Sequence, residues 1–190
     1  MINVIADRYA QALFEVGEET QTTSELYQEL SELVDIFNEN KDLYNFLKSP
    51  LIGREDKKNV MQNIFKNQLS DSMNNFLKVV IDKDRMSTIE YIKESYKSLL
   101  NDKNNILEGT AITAVELSEK EIKDVELSEK EIKDLEKNLS IKYNKNVTLN
   151  NIVDETILGG VLVKLGNEEI DGTVRTRLSK MKNQLSQVIS

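Results

Sequence analysis

Apolar residues in the first hundred positions return at intervals of three and four. Ile2, Ile5, Tyr9, Ala12, Leu13 and Val16 fall on one face of a helix drawn through them. Leu26, Leu30, Leu33, Val34 and Phe37 repeat the pattern between Ser24 and Asn40. A short turn holding Leu43, Phe46 and Leu47 stops before Pro50, because the residue ahead of a proline resists the helical region. The stripe resumes from Arg54 to Phe65 with Val60, Met61, Ile64 and Phe65. Ser70 or Asp71 is placed to cap a fifth helix, which carries Met73, Phe76, Leu77, Val80 and Ile81. Ser87 is placed to cap a sixth, where Ile89, Ile92, Tyr96 and Leu99 keep the face. Six amphipathic helices with short joints predict a bundle, since none can bury its stripe alone.

The polar run NDKNN, Asn101 to Asn105, breaks this pattern. Ile106 to Val115 alternates, is rich in β-branched residues and reads as a strand; Val147 to Val153 and Ile157 to Leu165 read as two more. A helix intervenes, and another closes the chain from about Gly172 to Val188. The expected fold is mainly α. A six-helix bundle over residues 1–105 precedes a small α/β (α+β) domain over residues 106–190.

The unit VELSEKEIKD occurs twice in tandem, over Val115–Asp124 and Val125–Asp134. Two copies do not make a solenoid, which needs longer and more numerous units. Each carries Ser-x-x-Glu, at Ser118/Glu121 and Ser128/Glu131, so the intervening helix has two equivalent capping-box starts. Ten residues add about 15 Å of helix and turn its face back by roughly 80°. In a continuous helix Val125, Ile132, Leu135 and Leu139 share a stripe, and Leu127 points away. The pattern is read as a local duplication tolerated at a helix start; a dedicated binding extension is the alternative.

Composition narrows the chemistry. The chain has no Cys and no His, which removes disulfides, thiolates, zinc sites and every relay built on imidazole. Only carboxylate or Lys catalysis remains open, and the pairs Glu18/Glu19 and Glu168/Glu169 read as solvated acids in a chain with 33 of them. Lys57/Lys58 reads equally as a wet helix face. Gly159-Gly160, followed by Gly166, lacks the spacing of a phosphate loop and points to a tight turn or a close backbone approach. No cofactor is expected. A net charge of -8 disfavours nucleic acid and anionic lipid. No apolar run approaches the ~20 residues that span a bilayer, and Asp7 and Arg8 come too early for a signal peptide. Membrane contact is therefore expected only through partner proteins.

Charge is unevenly spread. Between Tyr9 and Asn40 there is no Lys or Arg, while Glu15, Glu18, Glu19, Glu25, Glu29, Glu32, Asp35 and Glu39 all occur. This acidic surface serves solubility or steers a basic partner segment. The last helix is the reverse, with Arg175, Arg177, Lys180 and Lys182; cations in its last turns suit the dipole, and Arg175 is a candidate partner contact.

Four segments in order resemble one family. They are DRYAQALFEVG (Asp7–Gly17), FLKSPLI (Phe46–Ile52) with Lys57/Lys58, NNFLKVVIDKDRM (Asn74–Met86), and VDETILGGVLVKLGNEEIDGTVRTRLSKM (Val153–Met181). The last is the most specific, through Asp154, Leu158, Gly159, Gly160, Ile170, Asp171, Thr173, Val174, Arg175 and Leu178. Together they resemble the delta subunit of F-type ATP synthase, the oligomycin-sensitivity-conferring protein family. The second decapeptide copy departs from that pattern, and Glu155 stands where the family has Pro.

The resemblance implies a non-catalytic connector of the peripheral stalk on the cytoplasmic face of a bacterial membrane. The N-terminal bundle would grip N-terminal segments of alpha subunits of the catalytic head. The C-terminal domain would engage the end of the b-subunit stalk, so that ion flow drives ATP synthesis. In the family the first and fifth helices form the groove. Carried onto this chain, that implies contacts at Arg8, Tyr9, Leu13, Phe14, Phe76, Val79, Val80 and Lys83, with bundle core as the other role for the apolar ones. A free-standing helical adaptor or assembly factor, and an enzyme using carboxylates or Lys, are the competing classes. The identity of the coupled ion, proton or sodium, is not written in this chain.

Overall fold

The computed structural model describes residues 2–66, 68–113, 128–154, 156–157, 159–166 and 168–189, with side chains from 4 to 182 apart from 128–131. The chain forms two compact units, Met1–Lys103 and Asn104–Ser190.

The first unit is all helix: α1 (Ile2–Glu19), α2 (Thr23–Glu39), α3 (Lys41–Lys48), α4 (Arg54–Ile64), α5 (Asp71–Asp82) and α6 (Ile89–Lys103). The stripes read from the sequence converge on one core. Ala6, Ala10 and Leu13 of α1 meet Leu26, Leu30 and Leu33 of α2 and Ile89, Ile92 and Tyr96 of α6, all essentially excluded from solvent. Gly17 lets three helices close in, because a Cβ there would lie 3.0 Å from the Tyr96 hydroxyl and 3.1 Å from Leu26 Cδ1. The Tyr96 hydroxyl donates to the Thr23 carbonyl at 3.0 Å, so the core's one deep phenol is satisfied across α6 and α2. Phe14 packs edge to face on Tyr96, with centroids 5.4 Å apart.

Two expectations need correction here. Ser87 does not cap the sixth helix; it lies within a 3-10 turn, Met86–Thr88, and α6 begins at Ile89. Lys57 is not on a wet face. Its side chain is 2% exposed, and its ammonium reaches Asp84 Oδ1 at 3.5 Å, a partner 27 residues away. Ser70 does cap α5, accepting from the Met73 amide at 3.2 Å.

The second unit is a four-stranded sheet of order β2-β1-β3-β4, made by β1 (Ile106–Thr113), β2 (Asn146–Val153), β3 (Val161–Leu165) and β4 (Glu168–Asp171). α7 (Ser128–Tyr143) connects the parallel pair β1 and β2; β3 runs antiparallel to both β1 and β4. Alternate residues of three strands, Ala111, Val147, Leu149, Val163 and Leu165, bury one face together with Leu139 of α7. Ile132 and Leu135 pack beside them, which keeps that part of the anticipated stripe. Val125, Leu127, Ser118 and the rest of 114–127 lie outside the described residues. β2 is an edge strand, and α7 covers it chemically: Ser140 Oγ accepts from the Val147 amide at 3.0 Å and Glu136 from the Leu149 amide at 2.8 Å.

The third strand is shorter than its apolar run suggests. Gly159 and Gly160 sit at φ 136° and 84°, so the backbone turns before Val161. A Cβ on Gly160 would stand 2.6 Å from the Gly172 carbonyl oxygen, which makes this the tight turn and close approach expected of the pair. Ile-Asp-Gly-Thr-Val-Arg is a helix-start device. Asp171 accepts from the Thr173 amide at 2.9 Å and the Thr176 hydroxyl at 2.8 Å, and α8 (Val174–Ile189) follows. Within α8, Lys180 and Lys182 lie mid-helix and not in its last turns.

Candidate functional site

α1 and α5 leave an open groove of about 660 Å³ on the first unit. Its α1 wall repeats at helical spacing: Ile5, Tyr9, Ala12 and Val16, with Leu13 beneath. Ile5 to Val16 covers roughly 16 Å of helix, about three turns. Phe76 and Val79 of α5 form the opposite wall. The Tyr9 and Phe76 rings meet edge to face, centroids 6.4 Å apart, and tie the walls together. Val79 is 48% exposed and Val16 38%, so apolar surface is offered to solvent along the groove. Arg8 of α1 and Arg85, just past α5, supply cations to this lining. Among the described residues, neither guanidinium pairs with a carboxylate.

α5 is fixed at both ends. At its start Glu29 of α2 accepts from the Ser70 hydroxyl at 2.8 Å and from the Ser70 amide at 3.2 Å. At its end the Asp84 amide donates to the Ile81 carbonyl (3.0 Å) and the Arg85 amide to the Val80 carbonyl (2.9 Å). That is a Schellman closure with Asp84 left-handed at φ 53°. A residue with a Cβ costs about 1 kcal/mol there relative to Gly. The Asp84 carboxylate binds α4: Arg54 Nη2 lies 2.8 Å from Oδ2, and Lys57 Nζ 3.5 Å from Oδ1. The hydrogen bond from Arg54, with Coulombic help from it and from Lys57, holds the Asp84 carboxyl below the usual carboxylate range. Lys58 adds a 2.7 Å contact to Asp82.

The sequence candidates divide cleanly. Arg8, Tyr9, Leu13, Phe76 and Val79 come together in the groove. Phe14 and Val80 do not. They are 7% and 0% exposed and belong to the bundle core, because each sits one position round the helix from a groove residue. Lys83 is exposed, outside the groove lining, since the left-handed turn after it redirects the chain and brings Arg85 in instead. Arg85 is not among the contacts the resemblance implies, because it lies past the end of α5. Ile5, Ala12 and Val16 carried a signal already, as members of the first apolar stripe.

The acidic run is partly spent inside the unit. Asp35 pairs with Lys93 at 3.4 Å, Glu18 with Lys103 at 3.3 Å, and Glu29 serves Ser70. In the second unit Arg175 is exposed near the start of α8, on a helix whose Val174, Leu178 and Met181 are 41%, 61% and 59% exposed at i, i+4 and i+7. Leu158 and Glu155 lie outside the described residues. Among the described residues no cluster of three metal-ligating side chains occurs, and no helix is long and apolar enough to cross a membrane.

The chain as a whole is similar to known proteins. A family model described as ATP synthase delta (OSCP) subunit matches residues 5–185. The chain is 54% identical over 191 residues to ATP synthase subunit delta of Clostridioides difficile (strain 630), covering 100% of both. It is 38% identical over 189 residues to ATP synthase subunit delta of Alkaliphilus metalliredigens (strain QYMF), covering 100% of this chain and 99% of the relative. Its fold resembles a chain in the Toxoplasma gondii mitochondrial ATP synthase hexamer, with TM-score 0.61, 17% identity, and 95% and 96% of the two chains covered.

Proposed function

The chain belongs to the ATP synthase delta (OSCP) subunit family, and from that premise we propose how its two units divide the work of a peripheral-stalk subunit. It is a structural subunit of F-type ATP synthase, and its partners are other subunits of that complex. The α1–α5 groove is the docking site for the N-terminal segment of an alpha subunit of the catalytic head. α8 presents Val174, Leu178 and Met181 to the end of the b-subunit stalk, with Arg175 beside them. The chain contributes no catalytic residue and holds no cofactor. It reaches the cytoplasmic face of the membrane only through these partners.

The observation that carries this reading is the groove itself. It is three turns long, mainly apolar, and one of its walls, α5, is pinned at both ends. An amphipathic helix lays an apolar face into such a groove. Two attachments, one per unit, raise retention under rotary load without exceptional affinity at either, because the second binding event becomes intramolecular. The head is thereby kept from turning with the rotor, and ion flow drives ATP synthesis.

Affinity capture of the tagged full chain from membranes tests the reading. Head and stalk subunits are expected together. With Val79→Glu, head subunits are expected to be lost while the b subunit is retained. Capture of neither set by the wild-type chain would contradict the proposal.

A further inference from the structure

We propose that Arg85 selects an acidic side chain in the helix that occupies the groove, and that Asp84 is a positioning residue that aims it. This rests on the groove being the docking site proposed above. Before Asn104 the chain has three arginines, Arg8, Arg54 and Arg85. Two of them are the charged residues of a groove whose other polar lining is Ser72 and Asn75, and the third grips the residue before Arg85.

The setting gives these cations discriminating power. From Tyr9 to Asn40 the chain carries no Lys or Arg, so along that stretch of α1 and α2 the charges an acidic occupant meets are all acids, and the cations that line the groove itself are Arg8 and Arg85. An amphipathic helix with a carboxylate opposite each has its direction and register set. A guanidinium suits the task, since it binds a carboxylate through two parallel N–H groups while its plane rests on apolar surface.

Asp84 shows why the turn is built for this. Glycine would adopt φ 53° more readily, yet an acid stands there. Its two oxygens are taken by Arg54, at 2.8 Å, and by the buried Lys57, at 3.5 Å, both from α4. The turn is therefore anchored to a different helix from the one it terminates, and Arg85 leaves it toward the groove.

Calorimetric titration of the full chain tests this, with a synthetic peptide of the alpha-subunit N-terminal segment as the probe. A set of peptides in which each carboxylate is changed in turn to the amide completes the double-mutant cycle. Arg85→Ala is expected to weaken binding about tenfold, and Arg85→Lys to recover part of it. One amide peptide is expected to lose the same factor against wild type and nothing against Arg85→Ala. Asp84→Asn keeps a residue tolerated in the left-handed turn. It should shrink that coupling while leaving the affinity of the amide peptide unchanged, and Arg54→Met should do the same from the other side of the tie. If Val79→Glu leaves affinity untouched, the docking reading itself falls. If Val79→Glu abolishes binding but Arg85→Ala does not alter it, or no peptide carboxylate couples to Arg85, the selection by Arg85 is wrong. Undiminished coupling in both Asp84→Asn and Arg54→Met removes Asp84 from the device.

Discussion

The rings of Tyr9 and Phe76 meet edge to face with centroids 6.4 Å apart, and this contact joins the two walls of the groove. The core that supports the walls lies one helical step away from the residues that line them. Val79 and Val80 mark the division, 48% exposed against 0%.

Neighbouring positions should therefore fail differently. Val79→Glu is expected to change the melting temperature little and to abolish binding of the alpha-subunit peptide. Val80→Glu and Phe14→Glu bury a carboxylate in the core and are expected to cost at least about 3 kcal/mol, enough to unfold much of the first unit. Circular dichroism with thermal unfolding separates the two classes. A folded Val80→Glu variant would show that the core assignment is wrong.

Tyr96 gives a prediction at high pH. Burial, with a smaller contribution from Glu18, pushes its phenol up to about 12 from the ordinary 10.0. The fold accommodates the neutral form, so this contribution is complete below pH 10 and is lost as pH rises through about 12. An ultraviolet titration should show a tyrosine component near pH 12. Tyr96→Phe removes that component and the hydroxyl's bond to the Thr23 carbonyl, at a cost of about 1 kcal/mol.

Asp84 gives the opposite sign at low pH. Its carboxyl is held below the usual range chiefly by the hydrogen bond from Arg54. The tie is present at neutral pH, begins to weaken below the ordinary value of 3.8, and is gone once the folded carboxyl itself is protonated. Asp84→Asn is expected to flatten this part of the stability–pH curve. An unchanged curve would mean the Arg54 contact adds nothing in solution.

Gly160 tests the second unit. At φ 84°, with the Gly172 carbonyl 2.6 Å from where a Cβ would be, Gly160→Ala is strained by both backbone and contact. A loss of about 2–3 kcal/mol is expected. Hydrogen exchange should show that loss in the sheet amides and not in α1–α6.

The tandem decapeptide makes a simple case. Its copies are identical, so deleting residues 125–134 leaves the same ten residues ahead of Leu135, and Ile122 takes the place of Ile132. α7 should form unchanged and the melting temperature should hold. A collapse in stability would show that both copies are structural.

Much of this architecture was legible in the chain because it rests on local periodicity. The five long stripes and the Ser70 cap depend on neighbours within a few residues, and the turn at Gly159-Gly160 is signalled by the pair itself. What was hidden depends on distant partners. Lys57 reads as a wet lysine beside Lys58 until Asp84 arrives from 27 residues away. Lys83 continues the spacing of Phe76 and Val79 on paper, but the left-handed Asp84 turns the chain and substitutes Arg85. β4 has four residues, Glu168–Asp171, too short and too acidic to signal a strand without Val163 and Leu165 pairing against it. The resemblance to the delta family supplied which helices form the groove; the structure shows which side of each helix faces it.

The central claim is that one chain holds head and stalk at once, through separate units. Sedimentation velocity of the full chain with the alpha-subunit peptide and the soluble end of the b subunit tests it most directly. The account predicts a ternary complex, from which Val79→Glu removes only the peptide and Leu178→Glu only the b segment. Competition between the two partners for one site, or a single variant that loses both while staying folded, would contradict it.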